Sequence, residues 1–312
     1  MRVLSAEDPS AIAEAVRVLR EGGLVAIPTE TVYGLAAHAL DPAAVARIFA
    51  AKGRPATNPL IVHVATIEQA RALSSAWPAT ADAIAARFWP GPVTVVVPRA
   101  AHVPDIVTAG GPTIAIRIPA HPVALAILRS GLPLAAPSAN PSNGISPTTA
   151  RHVLEGLGDR VDVILDGGPT TAGIESTVVH LGEDPPRLLR PGIVTPGELE
   201  EIIGPLARAP AHDSVLPSPG MMERHYAPRA ALEVHDDPVA RAAELVGVRV
   251  ATIAFHAPAD VVLPRDARAY AARLYAALHE LDRGGIERIV VATPPGGDEW
   301  LGVRDRLTRA TR

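Results

Sequence analysis

The sequence predicts an α/β architecture in two parts, on three observations. Short apolar runs of strand length alternate with helical stretches up to about residue 203. A proline-rich stretch then interrupts the pattern, and a shorter alternation of the same kind follows it. The chain has 312 residues, 48% hydrophobic and 20% charged, which is core material for one large domain or, better, two.

The elements follow in order. Residues 8–21 read as a helix capped by Asp8 or Ser10 and stopped by Gly22-Gly23. Leu24-Val25-Ala26-Ile27 is a short buried strand entering the polar turn Pro28-Thr29-Glu30-Thr31. Asp41-Pro42 opens a helix, with proline at its first position, that ends near Lys52-Gly53. Strands are expected at 60–64, 93–97, 113–118 and 134–136, and helices at 66–74, 80–88 and 121–130. Strands at 163–166, 176–181 and 187–190, then a helix near 196–203, complete the first sheet. Pro205, Pro210, Pro217, Pro219 and Pro228 mark a linker. A strand at 250–255, a helix at 266–281, a strand at 288–292 and a helix at 302–309 then form a small βαβα unit. The expected division is residues 1–205, a linker at 206–229 and a second domain at 230–312.

Composition narrows the function. With aromatics at 3%, the core is built from Ala, Val, Leu and Ile. The net charge of −4, with acids and bases interspersed, argues against a strong direct nucleic-acid footprint. Absence of cysteine excludes disulfides, thiolate metal sites and cysteine nucleophiles. No apolar run is long enough to span a membrane and no signal pattern opens the chain, so a cytoplasmic protein is expected. No phosphate-binding P-loop, dinucleotide fingerprint, nucleophile elbow or metal-binding histidine pair occurs, and no protein-built metal site is expected.

Lys52 is the only lysine; the other 28 of the 29 basic residues are arginine. In a chain rich in Ala, Pro and Gly this looks like a coding bias, and a lysine that survives it does something a planar guanidinium cannot. The three asparagines, Asn58, Asn140 and Asn143, fall near Lys52 or in the Pro137-Ser138-Ala139-Asn140 stretch. Polar turns at 28–34, 53–59, 137–148 and 173–177 close several strands and are expected to gather a pocket outside the strand ends. Lys52 and Arg54 with the Ser/Asn-rich loop suit a polyphosphate or nucleotide. A charge pair beside an ordinary polar loop is an equal alternative. Arg117 alternates with Ala115 on an apolar strand and requires an anionic partner, either a ligand or a nearby acid.

Taken together, Ile27-Pro28-Thr29-Glu30-Thr31-Val32-Tyr33-Gly34-Leu35, Lys52-Gly53-Arg54-Pro55 with Asn58-Pro59-Leu60, Pro137-Ser138-Ala139-Asn140 and Ser146-Pro147-Thr148 resemble the YrdC/Sua5 family. Gly173-Ile174-Glu175-Ser176-Thr177-Val178, Leu189-Arg190-Pro191-Gly192 and Ser218-Pro219-Gly220-Met221 with His225-Tyr226-Ala227-Pro228 fit as well; the last marks the two-domain Sua5 form. The blocks span most of residues 10–230, and the C-terminal part matches more loosely, through its length, the helix at 266–283 and Asp305-Arg306-Leu307.

The resemblance implies a YrdC-like twisted mixed sheet flanked by helices, plus a small Rossmann-like α/β C-terminal domain. It implies an L-threonylcarbamoyladenylate synthase, converting L-threonine, bicarbonate and ATP to threonylcarbamoyl-AMP and diphosphate. Proteins that modify adenosine 37 of tRNA would use the product. By matching position, Thr31, His63, Arg117, Ser138 and Ser176 would contact threonine or its carbamate. Lys52, Arg54, Asn58, Thr113, Asn140, Ser146, Arg190 and Tyr226 would contact the nucleotide, with Lys52 and Arg54 at the reacting groups. Mg²⁺ would arrive with ATP. Tyr226 and residues 218–228 would fold over the pocket as a lid. The alternatives are a non-catalytic RNA-binding module and another carbamoyl-adenylate-forming enzyme, of a kind embedded in longer chains.

Overall fold

A computed structural model describes residues 1–208 and 225–311. The larger sheet contains β1 (Arg2–Ser5), β2 (Val25–Ile27), β3 (Gly34–His38), β4 (Ile61–His63), β5 (Val93–Pro98), β6 (Thr113–Arg117), β7 (Leu134–Ala135), β8 (Val163–Asp166), β9 (Thr177–His180), β10 (Arg187–Arg190) and β11 (Ala207–Arg208). Their order is β1-β8-β2-β3-β7-β4-β6-β5-β9-β10-β11, with parallel and antiparallel pairs intermixed. The second sheet, β12 (Ala231–His235), β13 (Val250–Ala254), β14 (Val261–Val262) and β15 (Arg288–Ala292), is all parallel in the order β12-β15-β13-β14. It is Rossmann-like, as expected.

Local chemistry sets the helices that matter to the site. Asp8 caps the helix Pro9–Arg20 through the Ser10 N–H. Asp41 caps Pro42–Lys52, and Gly53, at φ +60°, ends it in the left-handed conformation. Lys52 is thereby the last helical residue and turns inward, buried. Thr195 and Glu198 form a reciprocal capping box on Pro196–Ile203.

Several elements are absent from the sequence expectation. β1 is nearly all exposed, so no alternation marks it. β3 is Gly-Leu-Ala-Ala-His, a composition of low β propensity that reads as turn. The helix Ala150–Leu157, capped by Thr149, lies just beyond the polar loop at 137–148. In the second domain β12, the helix Pro238–Glu244 and β14 precede or interrupt the expected βαβα unit.

Two apolar layers enclose the larger sheet. One packs Leu35, Val62, Val95 and Ile116 against Val45, Ile48, Ile84 and Leu199. On the other face, the helices Pro9–Arg20 and Pro122–Leu128 cover only the half built on β2, β7 and β8. The uncovered half presents Ile61, Ala115, Val178 and Leu189. The C-terminal domain approaches there, and its core runs without a break into Val32, Ile145, Ile174 and Tyr226. Glycines permit this contact: a Cβ at Gly302 would lie 2.7 Å from the Gly192 carbonyl oxygen, and one at Gly173 2.3 Å from that of Ala271. Among the described residues no helix is long and apolar enough to cross a membrane.

Candidate active site

A cavity lies on the uncovered sheet face, lined by residues of the first domain together with His225 and Tyr226. Strand alternation puts His63 on the side of Ile61 and Arg117 on the side of Ala115, as expected for Arg117. The turns at 29–32, 136–138 and 175–176 form its walls, with Arg54, Arg190, His225 and Tyr226. The site therefore occupies a sheet face as well as strand ends. In a mixed sheet the carboxyl ends do not share one edge, so the rule for parallel sheets locates only part of it.

Arg117 is held on three sides. Its Nε donates to the Gly91 carbonyl at 3.0 Å, one terminal nitrogen donates to Thr31 Oγ1 at 2.9 Å, and the other lies 2.6 Å from Glu30 Oε1. The last contact is an ion pair whose atoms are not aligned as a hydrogen bond; both Glu30 oxygens remain without one. The nearby acid is thus the partner that Arg117 required. Thr29 Oγ1 shares a hydrogen bond with Thr31 Oγ1 at 2.8 Å. His63 sits opposite Arg117 in the β4–β6 register; burial, and secondarily the Arg117 charge, push its pKa down to about 3, so the ring is neutral. Its Nδ1 has no hydrogen-bond partner. Ser176 Oγ meets Thr94 Oγ1 at 2.7 Å and accepts from Arg190 at 3.1 Å.

Arg54 curls over its own turn, donating from Nε to the Asn58 carbonyl at 3.0 Å and from a terminal nitrogen to Asn58 Oδ1 at 2.6 Å and the Pro59 carbonyl at 2.7 Å. Burial pulls its pKa down to about 10. Arg190 is buried beside it and also donates from Nε to the Ser176 carbonyl at 3.1 Å. Tyr226, at φ +63°, inserts its ring edge-on to His225 at 4.0 Å. Its hydroxyl is buried without a hydrogen-bond partner among the described residues. His225 and Tyr226 fill the space so completely that the cavity measures about 40 Å³, whereas sites for drug-sized ligands run to roughly 300–1,000 Å³. Residues 218–224 of the expected lid lie outside the described residues.

Eight of the thirteen candidate residues line the cavity: Thr31, Arg54, His63, Arg117, Ser138, Ser176, Arg190 and Tyr226. The other five are not among its lining residues, although Thr113 shares the strand face of Ala115 and Arg117. Lys52 Nζ donates to the Ser138 and Asn140 carbonyls, each at 2.5 Å, and its own carbonyl accepts from the Ser142 N–H at 2.8 Å. Burial, then the Arg54 charge, push its pKa well below the usual lysine range. Asn140 Nδ2 donates to the Pro141 and Gly144 carbonyls, knotting the same loop. Asn58 anchors Arg54, Ser146 Oγ donates to Glu175 at 2.5 Å, and Thr113 is half-buried at the start of β6.

Sequence reasoning assigned no role to Glu30, Glu175, His225 or Arg306. Glu175 is buried at the cavity wall, ion-paired at 2.7 Å with Arg306 from the C-terminal domain, which holds its carboxyl down at about 2 despite burial. The only sequence signal was its place in Gly-Ile-Glu-Ser-Thr-Val. No cluster of three or more His, Cys, Asp or Glu suited to a metal occurs among the described residues.

Comparison with known proteins agrees with this fold. Residues 17–192 match the Sua5/YciO/YrdC family model, described as "Telomere recombination", and residues 194–311 match "Threonylcarbamoyl-AMP synthase, C-terminal domain". The chain is 43% identical to a threonylcarbamoyl-AMP synthase of Pyrococcus abyssi over 95% of this chain and 93% of that one. It is also 43% identical to the Bacillus subtilis protein of the same name, over 98% and 94%. The structure of P. abyssi Sua5 complexed with L-threonine superposes with a TM-score of 0.91 at 41% identity, covering 99% of this chain and 97% of that chain. With both family models matched in order and the two-domain relatives matched end to end, this chain belongs to the YrdC/Sua5 family, in its two-domain Sua5 form.

Proposed function

We propose that the chain is an L-threonylcarbamoyladenylate synthase. The observation that carries the reading is the gathering of three buried arginines, two neutral histidines and several hydroxyls around one cavity, with no nucleophile or base pair among them. Such an array neutralises and orients anions. Joining a carboxylate-like oxygen to a phosphate needs positioning and charge neutralisation more than a covalent intermediate.

The reaction is assigned as follows. The amine of threonine and bicarbonate condense to a carbamate with loss of water. A carbamate oxygen then bonds to the α-phosphorus of ATP as the bond to diphosphate breaks. Thr31, His63, Arg117, Ser138 and Ser176 serve the threonine and carbamate. Arg117, still paired with Glu30, offers its remaining terminal N–H groups to a carboxylate. Neutral His63 takes part as donor or acceptor without adding charge. Arg54, Arg190, Asn58, Thr113, Asn140, Ser146 and Tyr226 serve the nucleotide. Lys52 uses two donors to shape the Ser138–Asn140 loop and directs the third toward the phosphates. His225 and Tyr226 withdraw to admit substrates and return to exclude water from the labile adenylate. The product supplies the proteins that modify adenosine 37 of tRNA.

Mg²⁺ is assigned to the nucleotide rather than to the protein. The nearest carboxylates are committed: Glu175 to Arg306, Ser146 and Tyr275, and Glu30 to Arg117. Neither fits a metal ligand, and no step is assigned to the ion.

The test is diphosphate release from ATP with bicarbonate and each amino acid in turn. Release is expected with L-threonine. Binding of tRNA without diphosphate release under any condition would favour an RNA-binding module instead.

A further inference from the structure

Arg306 lies on the final helix, Leu301–Ala310, in the C-terminal domain, yet it is 1% exposed and reaches the cavity wall. Its Nε donates to Glu175 Oε2 at 2.7 Å, and its terminal nitrogens donate to the Glu175 carbonyl at 3.3 Å, the Pro191 carbonyl at 3.0 Å and Asp305 at 2.8 Å. Its guanidinium carbon stands 5.0 Å from the centre of the Tyr226 ring, a cation–π contact. Glu175 also accepts from Ser146 Oγ at 2.5 Å and from the Tyr275 hydroxyl at 3.1 Å, and the Tyr275 ring stacks on Tyr226 at 5.9 Å.

We propose that Glu175 and Arg306 form a positioning pair through which the C-terminal domain sets the Ser146 hydroxyl and the Tyr226 ring for the nucleotide. The proposal rests on the functional reading above, which gives Ser146 and Tyr226 to ATP. Joining two domains does not require such a pair. Exposed bridges Glu155–Arg283 and Glu198–Arg268, with continuous apolar contact, already do so. Burying both charges is costly and is offset only by extensive hydrogen bonding; every side-chain nitrogen and oxygen of this pair has a partner. Backbone contact of Gly302 with Gly192 leaves the final helix little room to shift, so the position of Arg306 is passed directly to the wall.

The full chain tests this with two variants. The double substitution Glu175→Gln/Arg306→Met removes both charges and strands neither; Arg306→Lys keeps the charge and loses the fork. ATP and L-threonine dissociation constants are measured by calorimetry, with the thermal midpoint alongside. In the double variant, ATP affinity is expected to fall by about tenfold or more, while threonine affinity stays within about twofold. Arg306→Lys is expected to weaken ATP alone, by roughly threefold or more, because Ser146 and Tyr226 are then less firmly set. Unchanged ATP affinity in a folded double variant would overturn the proposal. So would ATP and threonine affinities falling together with the thermal midpoint, which marks a structural pair only. If the double variant does not fold, Arg306→Lys decides on the same readouts. Wild-type protein that binds ATP yet releases no threonine-dependent diphosphate would sink the functional reading while leaving the pair to be judged on ATP affinity.

Discussion

Lys52 Nζ and the carbonyl oxygen of Asn140 lie 2.5 Å apart across 88 residues of sequence, and the same nitrogen holds the Ser138 carbonyl at 2.5 Å. The only lysine of the chain therefore works first as a clip on the Ser-Ala-Asn loop. A compact ammonium fits between two converging carbonyls; a planar fork needs more room and a different approach.

Lys52→Ala is expected to abolish threonine-dependent diphosphate release and to destabilise the fold, by about 1–3 kcal/mol for the Asn140 carbonyl left buried and unpaired, while the Ser138 carbonyl keeps the Asn140 N–H at 3.0 Å. Lys52→Arg is expected to lose about a hundredfold in rate, since small displacements of a positioning loop are amplified in the rate. Diphosphate assays on protein of native near-ultraviolet circular dichroism check both. Wild-type turnover in the arginine variant would contradict the role given to the clip.

Tyr226 carries a buried hydroxyl with no hydrogen-bond partner among the described residues. Tyr226→Phe is therefore expected to leave stability unchanged or raise it by up to about 1 kcal/mol, in contrast to most buried substitutions. If the hydroxyl serves ATP, the Michaelis constant for ATP should rise in the same variant. Thermal melts and ATP titrations together read the two effects separately.

Gly302→Ala would bring a Cβ to 2.7 Å from the backbone oxygen of Gly192, an atom that cannot rotate away. A cost of about 1–3 kcal/mol is expected from overpacking. Because the helix bearing Arg306 must shift, activity should fall further than stability alone explains. Urea midpoints beside turnover numbers measure both, and an active, fully stable variant would show that the interface has slack.

Acid should destabilise the protein early. Burial, then Arg117, holds His63 down at about 3; burial, then His279, holds His152 at about 3; an ordinary histidine titrates near 6.5. The unfolded chain therefore binds protons that the folded chain refuses. The histidine contribution is expected to be flat above about pH 7 and to fall as pH drops from 6.5 toward 3, by up to about 1.4 kcal/mol per unit from His63, with the lowered Lys52 adding a loss of the same sign. Glu175, held at about 2 against 4.5, adds loss of the same sign only below pH 4.5. Urea midpoints measured between about pH 7.5 and pH 5 should decline, and less steeply for His63→Gln.

Much of the site was legible because its cues are local. Asp41-Pro42 and Gly53 bracket one helix and so fix Lys52 at its end, and strand alternation placed Arg117 with Ala115. The Glu175–Arg306 pair was not legible, since its members are 131 residues apart and no pattern links them. Nor did composition distinguish residues on the cavity wall from those behind it. Lys52 and Asn140 share the Ser138 loop, yet only Ser138 faces the cavity. β3 escaped notice because alanine carries little strand signal, although pairing with β2 and β7 fixes it firmly.

The most direct test of the account is the fate of labelled bicarbonate. Incubation with ATP and L-threonine is expected to place one labelled carbon in an acid-labile adenylate for each diphosphate released, with none when threonine is omitted. Diphosphate release without incorporation of label, or labelled adenylate formed without threonine, would contradict it.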